Sequence, residues 1–120
     1  MLNSFSQTII VTPNQTAEQL GSGLLPVFST PAMIALMENT AMKCIDDLSV
    51  QDSSVGIAIN VKHLKASAVG SEISCEAKVV SFEGRNYSFQ LIVTDATGSL
   101  VGEGTHERVV VNIEKFMSRL

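Results

Sequence analysis

The spacing of apolar residues changes partway along the chain, and the change predicts the architecture. In the first half the strongest signal is helical. Met33, Ile34, Met37, Ala41, Cys44, Ile45 and Leu48 follow one another at spacings of one, three and four, as one helix face requires. Ala35, Leu36 and Met42 widen that face until it wraps most of the axis, so the helix demands burial on more than one side. Thr30 stands where an N-cap hydroxyl takes up a first-turn N–H, and Pro31 follows where a missing N–H costs nothing. The pattern predicts one long helix, from Thr30 to about Leu48.

From Val55 the period becomes two. Val55, Ile57, Ile59, Val61 and His63 share one face, and Gly56, Ala58, Asn60 and Lys62 share the other. Ile73, Cys75, Ala77 and Val79 alternate with polar neighbours, as do Tyr87, Phe89, Leu91 and Val93 after a turn at Glu83-Gly84. A second turn spans Asp95 to Gly98, a last strand runs from Leu100 to Ile113, and an amphipathic tail from Glu114 to Leu120 closes the chain. Upstream, Ser6 to Thr12 is β-rich and stops at Pro13, which suits an edge strand. Residues 14–29 hold one helical turn near Thr16 to Leu20, then Gly21-Ser22-Gly23, and read as a mobile loop. No strand directly precedes those glycines and no Lys follows, so they do not make a phosphate loop. The order is strand, helix, then four strands whose short turns imply antiparallel neighbours. The expected class is α+β: one domain in two layers, with a long central helix cradled by a five-stranded antiparallel sheet.

Composition narrows the function classes. A chain of 120 residues holds a core without staples, and with 5% aromatics and no Trp that core is expected to be aliphatic. A net charge of −4 with no basic run argues against nucleic acid as partner. Cys44 and Cys75 stand in no CxxC or metal-ligand spacing and read as buried apolar fillers, so no metal is expected. The stretch from Met1 to Gln7 lacks a basic, apolar leader, and no run reaches membrane-spanning length. A cytoplasmic protein with no membrane partner is the expectation.

Three side chains stand out as chemistry. Glu38 is a lone acid among Ala35, Leu36, Met37, Ala41 and Met42, a costly place unless it has a task. His63 ends the apolar row of its strand and so points toward the helix. Thr30 lies eight residues before Glu38, about 12 Å along the axis and roughly 80° around it. The two do not touch, but they can line opposite walls of one slot with His63 reaching in from the sheet. Plainer roles stand beside these: Thr30 as a cap, Glu38 at an exposed seam, His63 and His106 as structural or solvated histidines. No Gly-x-Ser-x-Gly elbow exists to support a serine hydrolase.

Three local patterns, in this order, resemble the fluoroacetyl-CoA thioesterase family of hotdog-fold proteins. Val27-Phe28-Ser29-Thr30 runs into Leu36-Met37-Glu38; Gly56 precedes His63 by seven; and Gly104-Thr105-His106-Glu107-Arg108 leads to Ile113-Glu114-Lys115-Phe116. The resemblance covers the chain from about Pro13 to Phe116. It implies a hotdog homodimer that hydrolyses an acyl-CoA or similar acyl thioester, with its site at the dimer seam and coenzyme A present only as part of the substrate. It assigns Thr30, Glu38 and His63 to catalysis, with Glu38 as general base or as nucleophile, and Gly56 to the oxyanion. Phe28, Leu24 and Leu25 are assigned to substrate binding. The family's namesake carries phenylalanines in the lid before the helix where this chain has Leu24 and Leu25. The resemblance therefore implies thioester hydrolysis rather than fluoroacetyl selectivity. A non-catalytic acyl-CoA or small-molecule binding module is the alternative.

Overall fold

The computed structural model describes residues 2–120; Met1, where the N-terminal stretch discussed above begins, lies outside them. In chain order the elements are β1 (Ser4–Ile10), a 3-10 turn (Pro13–Gln15), α1 (Ala17–Leu20), α2 (Thr30–Cys44), β2 (Asp52–His63), β3 (Glu72–Glu83), β4 (Asn86–Asp95), β5 (Leu100–Asn112) and α3 (Ile113–Ser118).

The main helix is shorter than its apolar pattern. It stops at Cys44, where the Ile45 N–H turns back to the Met42 carbonyl. Asp46 and Asp47 follow, and negative charge is disfavoured beyond a helix C-terminus. Its inward face buries Met33, Met37, Ala41 and Cys44 against Ile73, Cys75, Ala77, Leu91, Val93 and Val101. Truncating Met33 or Met37, both fully buried, is expected to cost about 2–5 kcal/mol. Cys44 and Cys75 are buried and free, as expected of apolar fillers. The core is less aliphatic than composition suggests, because Phe28 and Phe89 are among its largest fully buried side chains. Gly102 lets the helix sit close to the sheet: a Cβ there would stand 2.5 Å from Met33 Sδ.

All neighbouring strands are antiparallel, in the order β1-β3-β4-β5-β2. The expected adjacency fails at one connection. β2 and β3 follow each other in sequence, yet β2 pairs with β5 at one edge while β3 lies beside β1 near the other. The link, residues 64–71, is long enough to cross, and backbone bonds pin it along the way. Leu64 N–H donates to Val101 O at 2.7 Å, Ala68 bridges Val27, and Val11 N–H donates to Ser71 O at 2.9 Å. Those bonds also tie down the segment read as a mobile loop, which Thr16 and Phe28 close with a bridge of their own.

One irregularity decides what faces the helix. Gly56 pairs with Arg108 and Ala58 with Glu107, so Ile57 is a bulged extra residue. The bulge breaks strict alternation. Ser54 and Gly56 therefore share the helix-facing row with Ile59, Val61 and His63, while Ile57, expected in that row, is 56% exposed.

Candidate active site

The first cluster forms where α2 begins. Ser29 is the N-cap: its backbone is extended at φ −81° and ψ 154°, and its buried hydroxyl accepts from the Ala32 N–H at 3.1 Å. Thr30, expected in that role, is the first helical residue instead. Its hydroxyl is left to hydrogen-bond His63 Nδ1 across the layers at 2.8 Å. Phe28 stands edge-on to the imidazole, with ring centroids 6.2 Å apart and planes at 79°. Phe28, Thr30, His63, Val27, Leu64 and Lys65 line a cavity of about 320 Å³. Burial lowers the His63 pKa from 6.5, partly offset by the backbone at Lys65, so the ring is neutral near pH 7. Its Nε2 is buried with no partner among the described residues.

The second cluster forms two helical turns further on. Glu38, with its side chain 41% exposed, stands over Gly56 on β2. A Cβ on Gly56 would lie 2.8 Å from Glu38 Oε2, so the missing side chain is what lets the carboxylate rest there. Arg108 Nη1 is 3.8 Å from the same oxygen, an ion pair too long to be a hydrogen bond. Arg108 is itself buried. Its Nε donates to Ser54 Oγ at 2.9 Å, its Nη2 to Ser54 O at 3.0 Å, and its Nη1 meets His106 Nε2 at 3.2 Å. Burial lowers the Arg108 pKa from its usual value and Glu38 opposes the shift. Glu38, Gly56, Ala58, Ile59 and His106 line a cleft of about 220 Å³.

Within one chain, then, Thr30 meets His63, and Glu38 meets Gly56. The single slot expected for all of them does not form there. Gly56 and His63 are separated along β2 by roughly 20 Å, at ~3.3 Å per residue. Phe28 does line the Thr30–His63 cavity. Leu24 and Leu25, expected as its cover, are 91% and 64% exposed and line neither space. Sequence reasoning missed Ser54 and Arg108, and it read His106 as a structural or solvated histidine. The signal was present: a His and an Arg two apart on the last strand share one face, and flanking Gly104 and Val110 mark that face as inward. Among the described residues no group of three or more His, Cys, Asp or Glu gathers as metal ligands, and no helix is long and apolar enough to cross a membrane.

The family model described as fluoroacetyl-CoA-specific thioesterase matches residues 11–114. The chain is 31% identical over 123 aligned positions to the fluoroacetyl-CoA thioesterase of Streptantibioticus cattleyicolor, covering 97% of this chain and 88% of that protein. It superposes with a TM-score of 0.89 on a crystal structure of a fluoroacetyl-CoA-specific thioesterase variant in complex with fluoroacetate and CoA, at 31% identity over 97% of this chain and 98% of that one. A hot-dog-like protein from Thermanaerovibrio acidaminovorans superposes with a TM-score of 0.86 at 25% identity, over 97% of this chain and 86% of that one. The helix on its five-stranded antiparallel sheet is the hotdog fold.

Proposed function

The chain belongs to the fluoroacetyl-CoA-specific thioesterase family, and we propose that it hydrolyses an acyl-CoA, or a similar acyl thioester, at a site completed by a second copy of itself. The observation that carries the proposal is the division of the chemistry into two half-sites, Thr30 with His63 and Glu38 with Gly56, at separate points along one edge strand. Water attacks the acyl carbon, the new C–O bond forms as the C–S bond breaks, and the products are a carboxylic acid and a free thiol. Glu38 takes the proton from water. His63, neutral near pH 7, takes that proton from the Glu38 carboxyl at its Nε2, unpartnered among the described residues, and passes it to the leaving sulfur, with Thr30 holding its Nδ1 side. The backbone at Gly56, open for want of a side chain, steadies the oxyanion.

The second copy follows from the sheet order. β2 lies at an edge and offers twelve residues of backbone for pairing. A two-fold axis passing through Asn60 pairs β2 with its copy in antiparallel fashion, Ile59 opposite the partner's Val61, and the extra residue at the Ile57 bulge then sets Gly56 opposite the partner's His63. Glu38 then faces the partner's Thr30 and His63, and each dimer holds two complete sites. We place the enzyme in the cytoplasm, where two free buried thiols stay reduced.

Thiol release from a panel of acyl-CoAs tests the activity, and a mixing experiment tests the assembly. Glu38→Gln and His63→Ala are each expected to lose about 10²–10⁴ in kcat. After co-refolding in equal amounts they should recover about a quarter of wild-type activity, because half the molecules are then heterodimers with one intact site of two. No recovery, or a monomer by light scattering, defeats the shared site. Bound acyl-CoA with no thiol released from any substrate leaves a binding module.

A further inference from the structure

Arg108 is 6% exposed, and a buried charge has to be satisfied on every side. Ser54 takes two of its donors, through a hydroxyl and a carbonyl. Nη1 remains, placed between Glu38 Oε2 at 3.8 Å and His106 Nε2 at 3.2 Å. A guanidinium only donates, so His106 Nε2 accepts. The Ala58 carbonyl, 2.8 Å from His106 Nδ1, only accepts, so Nδ1 carries the proton. The two partners thus allow a single form of His106, the neutral Nδ1–H tautomer. Burial first, and then the neighbouring Arg108 charge, lower its pKa from 6.5 and keep that form at pH 7.

The ion pair to Glu38 is too long to aim the guanidinium by itself, so the aim comes from the shorter bonds. Three groups surround the point where Gly56 lacks a Cβ: Glu38 Oε2 at 2.8 Å, His106 Cε1 at 3.1 Å and Arg108 Nη1 at 3.5 Å. We propose that His106 is a positioning residue: its Nε2 fixes Arg108, and Arg108 in turn fixes where the Glu38 carboxylate stands over Gly56. The inference rests on the reading of Glu38 as the group that activates water. A misplacement of ~1 Å at a reacting group costs about a hundredfold in rate, so the effect falls on kcat.

Two substitutions separate the bonds. His106→Asn keeps a donor for Ala58 and removes the acceptor for Arg108, whereas His106→Gln sets an amide oxygen near Nε2 and keeps that acceptor. The expected result is a kcat lower by about 10- to 100-fold for Asn with KM little changed, and by no more than about threefold for Gln. In an Arg108→Met background the Asn change should cost nothing further, since its effect runs through the guanidinium. Equal losses in Asn and Gln, or an Asn loss that persists without Arg108, overturn the proposal and leave His106 as packing. Imidazole ¹⁵N shifts give a readout free of turnover. They should show Nδ1 protonated and Nε2 bare at pH 7, with Arg108 Nη signals broadened in Asn and retained in Gln. A protonated Nε2 overturns the inference whatever the activity. If wild-type protein hydrolyses no thioester while these signals behave as stated, the hydrolase reading fails and the positioning stands.

Discussion

Thr30 Oγ1 and His63 Nδ1 lie 2.8 Å apart, and the helix cap that would have claimed the threonine hydroxyl is supplied by its neighbour Ser29. Two adjacent hydroxyls therefore do separate jobs, one structural and one facing the imidazole. Ser29→Ala should destabilise the fold by about 1 kcal/mol and leave turnover of the folded protein near normal. Thr30→Val should leave stability near wild type and cut kcat by about tenfold, the value of one lost hydrogen bond. Thermal melts beside initial rates check both. A Thr30→Val protein that melts early yet works normally would reverse the assignment.

Gly56 and Gly104 offer a similar contrast on paired strands. A methyl group at position 56 meets the far end of a flexible side chain, Glu38 Oε2 at 2.8 Å. The carboxylate can swing away, so Gly56→Ala should stay folded while kcat falls by about a hundredfold. At Gly104 the obstacle is backbone, since a Cβ would collide with the Asn60 carbonyl, which cannot move without separating the strands. Gly104→Ala should lose stability outright. Circular dichroism and kcat on each variant distinguish the two cases, and an active Gly56→Ala enzyme would remove Gly56 from the site.

How far the sequence carried follows from these same residues. The helix and the later strands were legible because periods of 3.6 and 2 are strong signals over seven or more residues, and β1 was legible from its β-rich run ahead of Pro13. Period alone could not show the bulge at Ile57, which needs the β5 register, and so Gly56 seemed to face away from the helix. The cap was misplaced by one residue because Ser29 and Thr30 are both good caps, and the contact with His63 lies 33 residues away. Thr30, Glu38 and His63 were legible as chemistry; their separation within one chain was not, because it depends on the strand order and on where β2 ends. Arg108 was missed because a charged residue in a strand reads as solvated until its partner Ser54, 54 residues away, is known.

Acid should weaken the fold in two distinct steps. Burial lowers the pKa values of His63 and His106 from 6.5. Below pH 6.5 the unfolded chain takes up protons that the native chain refuses, so stability falls with pH until the native values are reached, and it is flat above. The slope is at most ~1.4 kcal/mol per pH unit for each histidine. Asp95 behaves differently. Its hydrogen bond to Lys65 and then that to Thr97 hold its carboxyl well below 3.8, so its contribution is intact above that value and is lost only as pH falls beneath it. Urea midpoints from pH 8 to 3 should therefore decline first below about 6.5 and again below about 4. His63→Gln should make the first decline shallower, and Asp95→Asn should alter only the second. A midpoint unchanged between pH 7 and 5 would contradict the buried neutral histidines.

The exposed leucines supply the last test. Leu24 and Leu25 sit just ahead of Phe28 at the tip of the 13–29 segment, 91% and 64% exposed, while Gly21 turns the chain there at φ 75°. The helix N-terminus and the bridges Thr16–Phe28 and Val27–Ala68 fix the base of this segment, but among the described residues its tip packs on nothing that buries the leucines. Two adjacent leucines held in water are unfavourable by roughly 25 cal/mol for each Å² of apolar surface, so covering them rewards whatever arrives. If what arrives is an acyl chain, a flexible aliphatic cover discriminates weakly, since a methylene is worth only ~1–3 kcal/mol. Wild type should then show a graded preference across short and medium acyl-CoAs rather than one dominant substrate. Leu25→Ala should shift kcat/KM toward longer or bulkier chains without lowering the melting temperature, because an exposed side chain contributes little to the core. Measured across a chain-length series in both proteins, an unchanged profile would show that the leucines do not touch the acyl group. A wild-type profile with a single sharp optimum would show that something more rigid than leucine shapes the pocket.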